Sequence, residues 1–95
     1  MTDLVKYQLD DNIATITMQN GKVNAMSPDH IAAINGALDQ AEQDNAVVML
    51  VGQPGIFSAG FDLKVFQADP VEGVNMVHAG SMLCRRLLSF PTPVV

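Results

Sequence analysis

Residues 46–66 read AVVMLVGQPGIFSAGFDLKVF. The first six, Ala46 to Val51, are apolar without polar alternation and rich in valine. Such a short run predicts a strand buried on both faces, as in a parallel sheet. Gly52-Gln53-Pro54-Gly55 breaks it. The small residues Ser58, Ala59 and Gly60 then lie between bulky Ile56, Phe57 and Phe61, and a short helix is predicted from near Asp62.

Buried strand, small-residue loop and helix form the order in which open α/β sheets hold ligands, at the carboxyl ends of their strands. Ala59 and Gly60 carry little side chain, so their backbone can approach a ligand closely. Residues entering a helix have N–H groups without an intrahelical acceptor. The Phe61 N–H is therefore a candidate donor to a ligand oxygen, one half of an oxyanion hole. The plainer reading is that Gly60 closes a turn while Phe57 and Phe61 belong to the core. The glycines at 52, 55 and 60 match neither the dinucleotide fingerprint nor the nucleotide phosphate loop.

Upstream, Val5, Tyr7 and Leu9 alternate with polar residues, Asp10-Asp11-Asn12 is turn chemistry, and Ile13 to Met18 resumes strand character. This predicts an antiparallel hairpin. A loop spans 19–26. Ser27-Pro28-Asp29 supplies a hydroxyl cap, proline at the first helical position and an acid in the first turn. Ile31, Ile34, Leu38 and Ala41 then recur at helical spacing up to Asp44-Asn45. His30, in the first turn, is expected at the surface.

Downstream, Asp69-Pro70 interrupts the short helix, and a longer one runs from about Val71 to Ser89, carrying Val74, Val77, Met82 and Leu88. Pro91 and Pro93 stop it, and Val94-Val95 starts another strand. The order is ββα followed by βα. A chain that ends as a strand begins reads as part of a larger unit.

The 95 residues allow one domain at most. With 48% hydrophobic and only 16% charged residues, the composition is that of a globular core and not of a disordered segment. So apolar a short chain suggests that some of its apolar surface meets a partner or a further part of the same protein. The net charge of −5 and the lack of a basic stripe argue against nucleic acid as a partner. One cysteine and two histidines make neither an internal disulfide nor a metal site. Cys84 reads as a core thiol on a helix, and the six methionines as core filling. The N-terminal MTDLVKYQLD is not a secretory signal, and no apolar run approaches the about 18 residues of a membrane span. The expected setting is cytoplasmic, away from membranes.

FSAGFDLK at 57–64 resembles the acyl-coenzyme-A-binding loop of the enoyl-CoA hydratase/isomerase (crotonase) superfamily, which shows Phe-x-Ala-Gly-x-Asp-Leu/Ile-Lys after a buried strand. NGKVNAMS at 20–27 is similar to the family's lead-in to its first helix, IATITMQ at 13–19 to the preceding strand, and FPTPVV at 90–95 to the strand before the second active-site loop. The ordered set covers essentially the whole chain. The resemblance implies an α/β crotonase-like fold built of ββα units. Residues 1–95 would be the N-terminal part of that spiral domain, ending before the second active-site loop.

By the same resemblance, the Phe61 N–H donates to the thioester carbonyl, while Val23, Ala25, Ala59, Gly60, Asp62 and Leu63 line the path of the coenzyme. Family members often carry a basic residue at the position of Val23; here Lys22 stands one place earlier. The implied chemistry is enolate stabilisation on an acyl-CoA substrate, with no tightly bound cofactor and no metal, in a homotrimer or hexamer. The family's second donor, a glycine, and its catalytic carboxylates fall after residue 95, so the 95-residue chain alone is expected to be inactive. Hydratases, isomerases, thioester hydrolases and dehalogenases share the first half of the site. His78 and Ser81, three apart on one helical face, lie near a position that some members use for catalysis; a structural role for His78 is the simpler reading. The competing functions are a non-catalytic module that binds coenzyme A or a partner chain, and an unrelated flavodoxin-like signalling domain using Asp10 and Asp11.

Overall fold

The computed structural model describes residues 3–95. Strand β1 (Val5–Asp10) and strand β2 (Ile13–Met18) form the expected hairpin, with Asp10 opposite Ile13. The two turn residues, Asp11 and Asn12, have φ of 50° and 66°. Positive φ at both central positions is the twist that suits a two-residue hairpin, and short Asp and Asn side chains tolerate it.

Helix α1 (Pro28–Gln43) follows, capped by the Ser27 side chain, which accepts from the His30 N–H. Strand β3 (Val47–Val51) then pairs parallel with β2, giving the sheet order β1-β2-β3. Val94 pairs parallel with Val48 on the far side of β3, so the chain does begin a further strand there. Helix α2 (Leu63–Ala68) and helix α3 (Pro70–Leu88) meet at Asp69, which caps the end of one and the start of the other.

The core lies between the sheet and α1. Ala14, Ile16 and Met18 of β2 and Val48 of β3 are buried against Ile31, Ile34, Leu38 and Ala41, the face that the helical spacing predicts. The other face of β3 differs from expectation: Met49 is 42% exposed. No described element covers that side of the strand, so β3 is buried on one face only. Of the methionines, Met18 and Met76 are core, Met49 and Met82 are exposed, and Met1 lies outside the described residues.

Helix α3 buries Gly73, Met76, Gly80 and Leu83, while Val74, Val77, Met82 and Leu88 are exposed. The valines mark the wrong face because the notches on the buried one are glycines. A Cβ on Gly73 would collide with the ring of Phe66. One on Gly80 would lie 2.5 Å from Phe61 Cε1. Arg86, near the end of α3, ties the two long helices together: its guanidinium donates to Asn35 Oδ1 at 3.0 Å and Asp39 Oδ1 at 2.7 Å. Cys84 is exposed on α3 and is not a core thiol.

Candidate functional site

The loop after β3 is fastened to the loop after β2 by backbone hydrogen bonds. Ala59 N–H donates to the Val23 carbonyl at 2.9 Å, Met26 N–H to the Gly60 carbonyl at 2.8 Å, and Asp62 N–H to the Met26 carbonyl at 3.2 Å. Met26 and Phe61 form an isolated parallel bridge. In a parallel bridge the partner's own N–H and C=O point away from the residue it bridges. The Phe61 N–H therefore faces away from Met26, and among the described residues it meets no acceptor.

The side chain of Asn24 locks the two loops into this register. It is fully buried, with φ of 51°. Its Oδ1 accepts from the Asn20 N–H at 2.7 Å and from Gln53 Nε2 at 2.9 Å, and its Nδ2 donates to the carbonyls of Met18 and Phe57, each at 3.1 Å. An amide suits this place because it offers two donors and two acceptor lone pairs at once. Ser58 adds a further tie, its hydroxyl donating to the Asn24 carbonyl at 2.7 Å and accepting from the Gly60 N–H at 3.0 Å. Gly60 sits at φ of 93°, a conformation that L side chains disfavour, so the turn into Phe61 depends on glycine there.

His30 is buried, contrary to the surface position its place in the helix suggests. The first turn of α1 tucks under the 19–26 loop, and His30 Nδ1 lies 2.9 Å from the Ala25 carbonyl. That carbonyl also accepts from Asn20 Nδ2 at 2.7 Å. Asn24, Gln53 and His30 thus hold the site's backbone in shape; Asn24 lies within NGKVNAMS, whereas no local motif marks Gln53 or His30. The nearest signal is the pair of asparagines around Gly21, residues that tolerate left-handed backbone and bond to nearby chain.

Two hollows flank the loop. An open groove of about 500 Å³ is lined by Val23, Ala25, Ala59, Phe61, Asp62, Leu63, Lys64 and Phe66. Val23, Ala25, Ala59, Asp62 and Leu63, all expected on the coenzyme path, therefore come together along it. Gly60 belongs to the same turn but not to the groove's walls. Behind the loop is an apolar cavity of about 180 Å³ between Met18, Met26, Ile34, Leu83 and Leu87, into which Cys84 also faces. Phe61 borders both spaces. Asp62 caps α2 by accepting from the Lys64 N–H at 3.0 Å. With α2 only six residues long, its dipole adds little at Phe61.

His78 and Ser81 are both exposed on α3. Lys22 is exposed in the 19–26 loop. Among the described residues no group of three or more His, Cys, Asp or Glu is placed to hold a metal ion, and no helix is long and apolar enough to cross a membrane.

The geometry has close counterparts among known proteins. A structure described as an enoyl-CoA hydratase/isomerase family protein from Pseudomonas syringae matches at a TM-score of 0.95 with 58% identity, over 97% of this chain and 40% of that one. The Mycobacterium tuberculosis enoyl-CoA isomerase matches at 0.91 with 41% identity, over 99% of this chain and 41% of its own. A probable enoyl-CoA hydratase of Bacillus subtilis (strain 168) is 30% identical over 96% of this chain and 37% of its own length. The chain thus spans about two fifths of the relatives it matches. The mixed α/β architecture is crotonase-like, as the ordered motifs imply. Residues 8–95 match the model of the enoyl-CoA hydratase/isomerase family, and the chain belongs to that family.

Proposed function

We propose that the 57–62 loop supplies one of two amide donors to the thioester oxygen of an acyl-CoA, and that the protein carries out enoyl-CoA hydration or double-bond isomerisation. The observation that carries this reading is the Phe61 N–H, turned away from Met26 and without an acceptor among the described residues, beside the groove lined by Val23, Ala25, Ala59, Asp62 and Leu63.

The chemistry follows from that placement. Adding water at the β-carbon of an enoyl thioester, or removing a proton to move its double bond, pushes charge onto the carbonyl oxygen. A fixed N–H aimed at that oxygen gains strength as the charge grows, so it favours the transition state over the bound substrate. Val23, Ala25 and Leu63 give the coenzyme an apolar path, and the small Ala59 and Gly60 let the thioester reach the backbone. The family resemblance assigns the second donor and the proton-transferring carboxylates to later segments, and turnover to the full-length protein alone. It also carries the rest of the reading: an acyl-CoA substrate with no tightly bound cofactor, and a homotrimer or hexamer.

The test replaces the amide linking Gly60 and Phe61 by an ester in the full-length protein, which removes the N–H and keeps the ring. Turnover of a short enoyl-CoA should fall by about 10²- to 10³-fold, the cost of losing one such donor. Unchanged turnover would reject the donor role.

A further inference from the structure

We infer that Gly80 is a positioning residue for the Phe61 amide: it is the notch in α3 that seats the Phe61 ring and thereby fixes the direction of the N–H. This inference rests on the donor role proposed above for Phe61.

Glycine is a poor choice inside a helix, costing about 1 kcal/mol relative to alanine, so its use there calls for a tertiary reason. Helix α3 has two glycines, Gly73 and Gly80, and both are on its buried face. Each lies under one aromatic ring. A Cβ on Gly80 would come 2.5 Å from Cε1 and 2.6 Å from Cζ of Phe61, with Ile31 Cδ1 next at 3.9 Å. The obstruction at Gly80 is thus almost wholly the Phe61 ring. A Cβ on Gly73 would instead strike Cδ1, Cε1 and Cγ of Phe66.

The consequences of the two contacts differ. Phe66 follows the loop, on α2, and its amide lies within that helix. Phe61 carries on one Cα both the seated ring and the outward N–H. Its neighbour Gly60, at φ of 93°, is the softest joint in the turn. The Met26 bridge holds the peptides on either side of Phe61. Each of those peptides is held by one hydrogen bond, which leaves the segment free to tilt about the line of the two bonds, and seating the ring against Gly80 resists that tilt. Phe61 is 36% exposed and borders both the groove and the apolar cavity, and the ring edge at Cε1 and Cζ rests on the Gly80 notch. Filling the notch would push the ring outward and turn the amide from its aim.

The test uses the full-length protein and a short enoyl-CoA, comparing Gly80→Ala with Gly73→Ala. A misplacement of about 1 Å at a reacting group can cost about 10²-fold in rate. Gly80→Ala is expected to lower kcat by at least about tenfold with KM nearly unchanged. Gly73→Ala, an equal insult to the same helix, should keep kcat and act on thermal stability and on KM through Phe66. Adding Gly80→Ala to Phe61→Ala should lower kcat no further than Phe61→Ala alone, because without the ring the notch has nothing to seat. Equal loss of kcat in both glycine variants, or a further loss when Gly80→Ala is added to Phe61→Ala, would overturn the inference. If Gly80→Ala does not fold, Phe61→Ala decides: emptying the notch lowers kcat if the ring aims the amide, and an unchanged kcat rejects it. The ester at Phe61 separates the two levels, since a silent ester sinks the donor role, whereas a damaging ester with a silent Gly80→Ala sinks only the positioning role.

Discussion

Asn24 Nδ2 donates to the Phe57 carbonyl, 33 residues away, at 3.1 Å, and this partly buried bond joins the loop after β2 to the loop after β3. The same side chain also accepts from Asn20 and Gln53, so one residue sets the distance between the two walls of the groove.

Asn24→Ala is therefore expected to damage stability and binding together. It leaves the Asn20 N–H and the Met18 and Phe57 carbonyls without their partner, and it asks alanine to adopt φ of 51°. Unsatisfied buried groups cost about 1–3 kcal/mol each, with partial relief from water, so a loss of about 3 kcal/mol is expected. Urea denaturation of the full-length protein measures it. A titration with acetyl-CoA should show weaker binding in the variant; unchanged affinity would mean the two loops keep their register without Asn24.

Arg86 predicts a different signature, a loss of stability without a change at the site. Its ion pairs to Asp39 and Glu42 are exposed on the acid side and contribute little each. The two bonds from Nη1 to Asn35, 3.0 Å to Oδ1 and 3.3 Å to the backbone carbonyl, are better sheltered. Arg86→Ala should cost about 1–2 kcal/mol, and Arg86→Lys should recover less than half, since one ammonium cannot reach Asn35 and the two acids as Nη1 and Nη2 do together. Thermal denaturation of both variants at low and high salt checks this; a loss that disappears in high salt would place the effect in the ion pairs instead.

Tyr7 makes stability fall at alkaline pH. Its hydroxyl donates to Asp44 Oδ2 at 2.7 Å. Partial burial, then that hydrogen bond and the nearby negative charge of Asp44, push the phenol from 10.0 up to about 12. The folded state holds this proton more tightly than the unfolded chain does. Its contribution is thus fully present below pH 10 and is lost as the pH rises toward about 12. Denaturation at intervals across that window should show the decline, and Tyr7→Phe should flatten it. The chain has one tyrosine and no tryptophan, so an absorbance titration reads this phenol cleanly wherever no other segment adds tyrosine. An ordinary titration near pH 10 would refute the coupling.

Local chemistry alone determined the hairpin, the first long helix with its Ile31, Ile34, Leu38 and Ala41 face, the strand at 47–51 and the small-residue turn beyond it. Each is written in nearest-neighbour terms: turn asparagines and aspartates, a Ser-Pro-Asp cap, valine runs and apolar spacing. The ordered motifs also determined the family. Tertiary structure alone decided that α3 buries Gly73 and Gly80 instead of its valines, because a glycine notch has meaning only when a ring from elsewhere fills it. It decided too that His30 and Asn24 are interior. Their burial depends on carbonyls supplied by residues that local patterning does not pair with them, Ala25 for His30, Met18 and Phe57 for Asn24. The strand at β3 reads as buried on both faces because its composition is uniform, yet burial requires a covering layer, and only one side of it has one among the described elements.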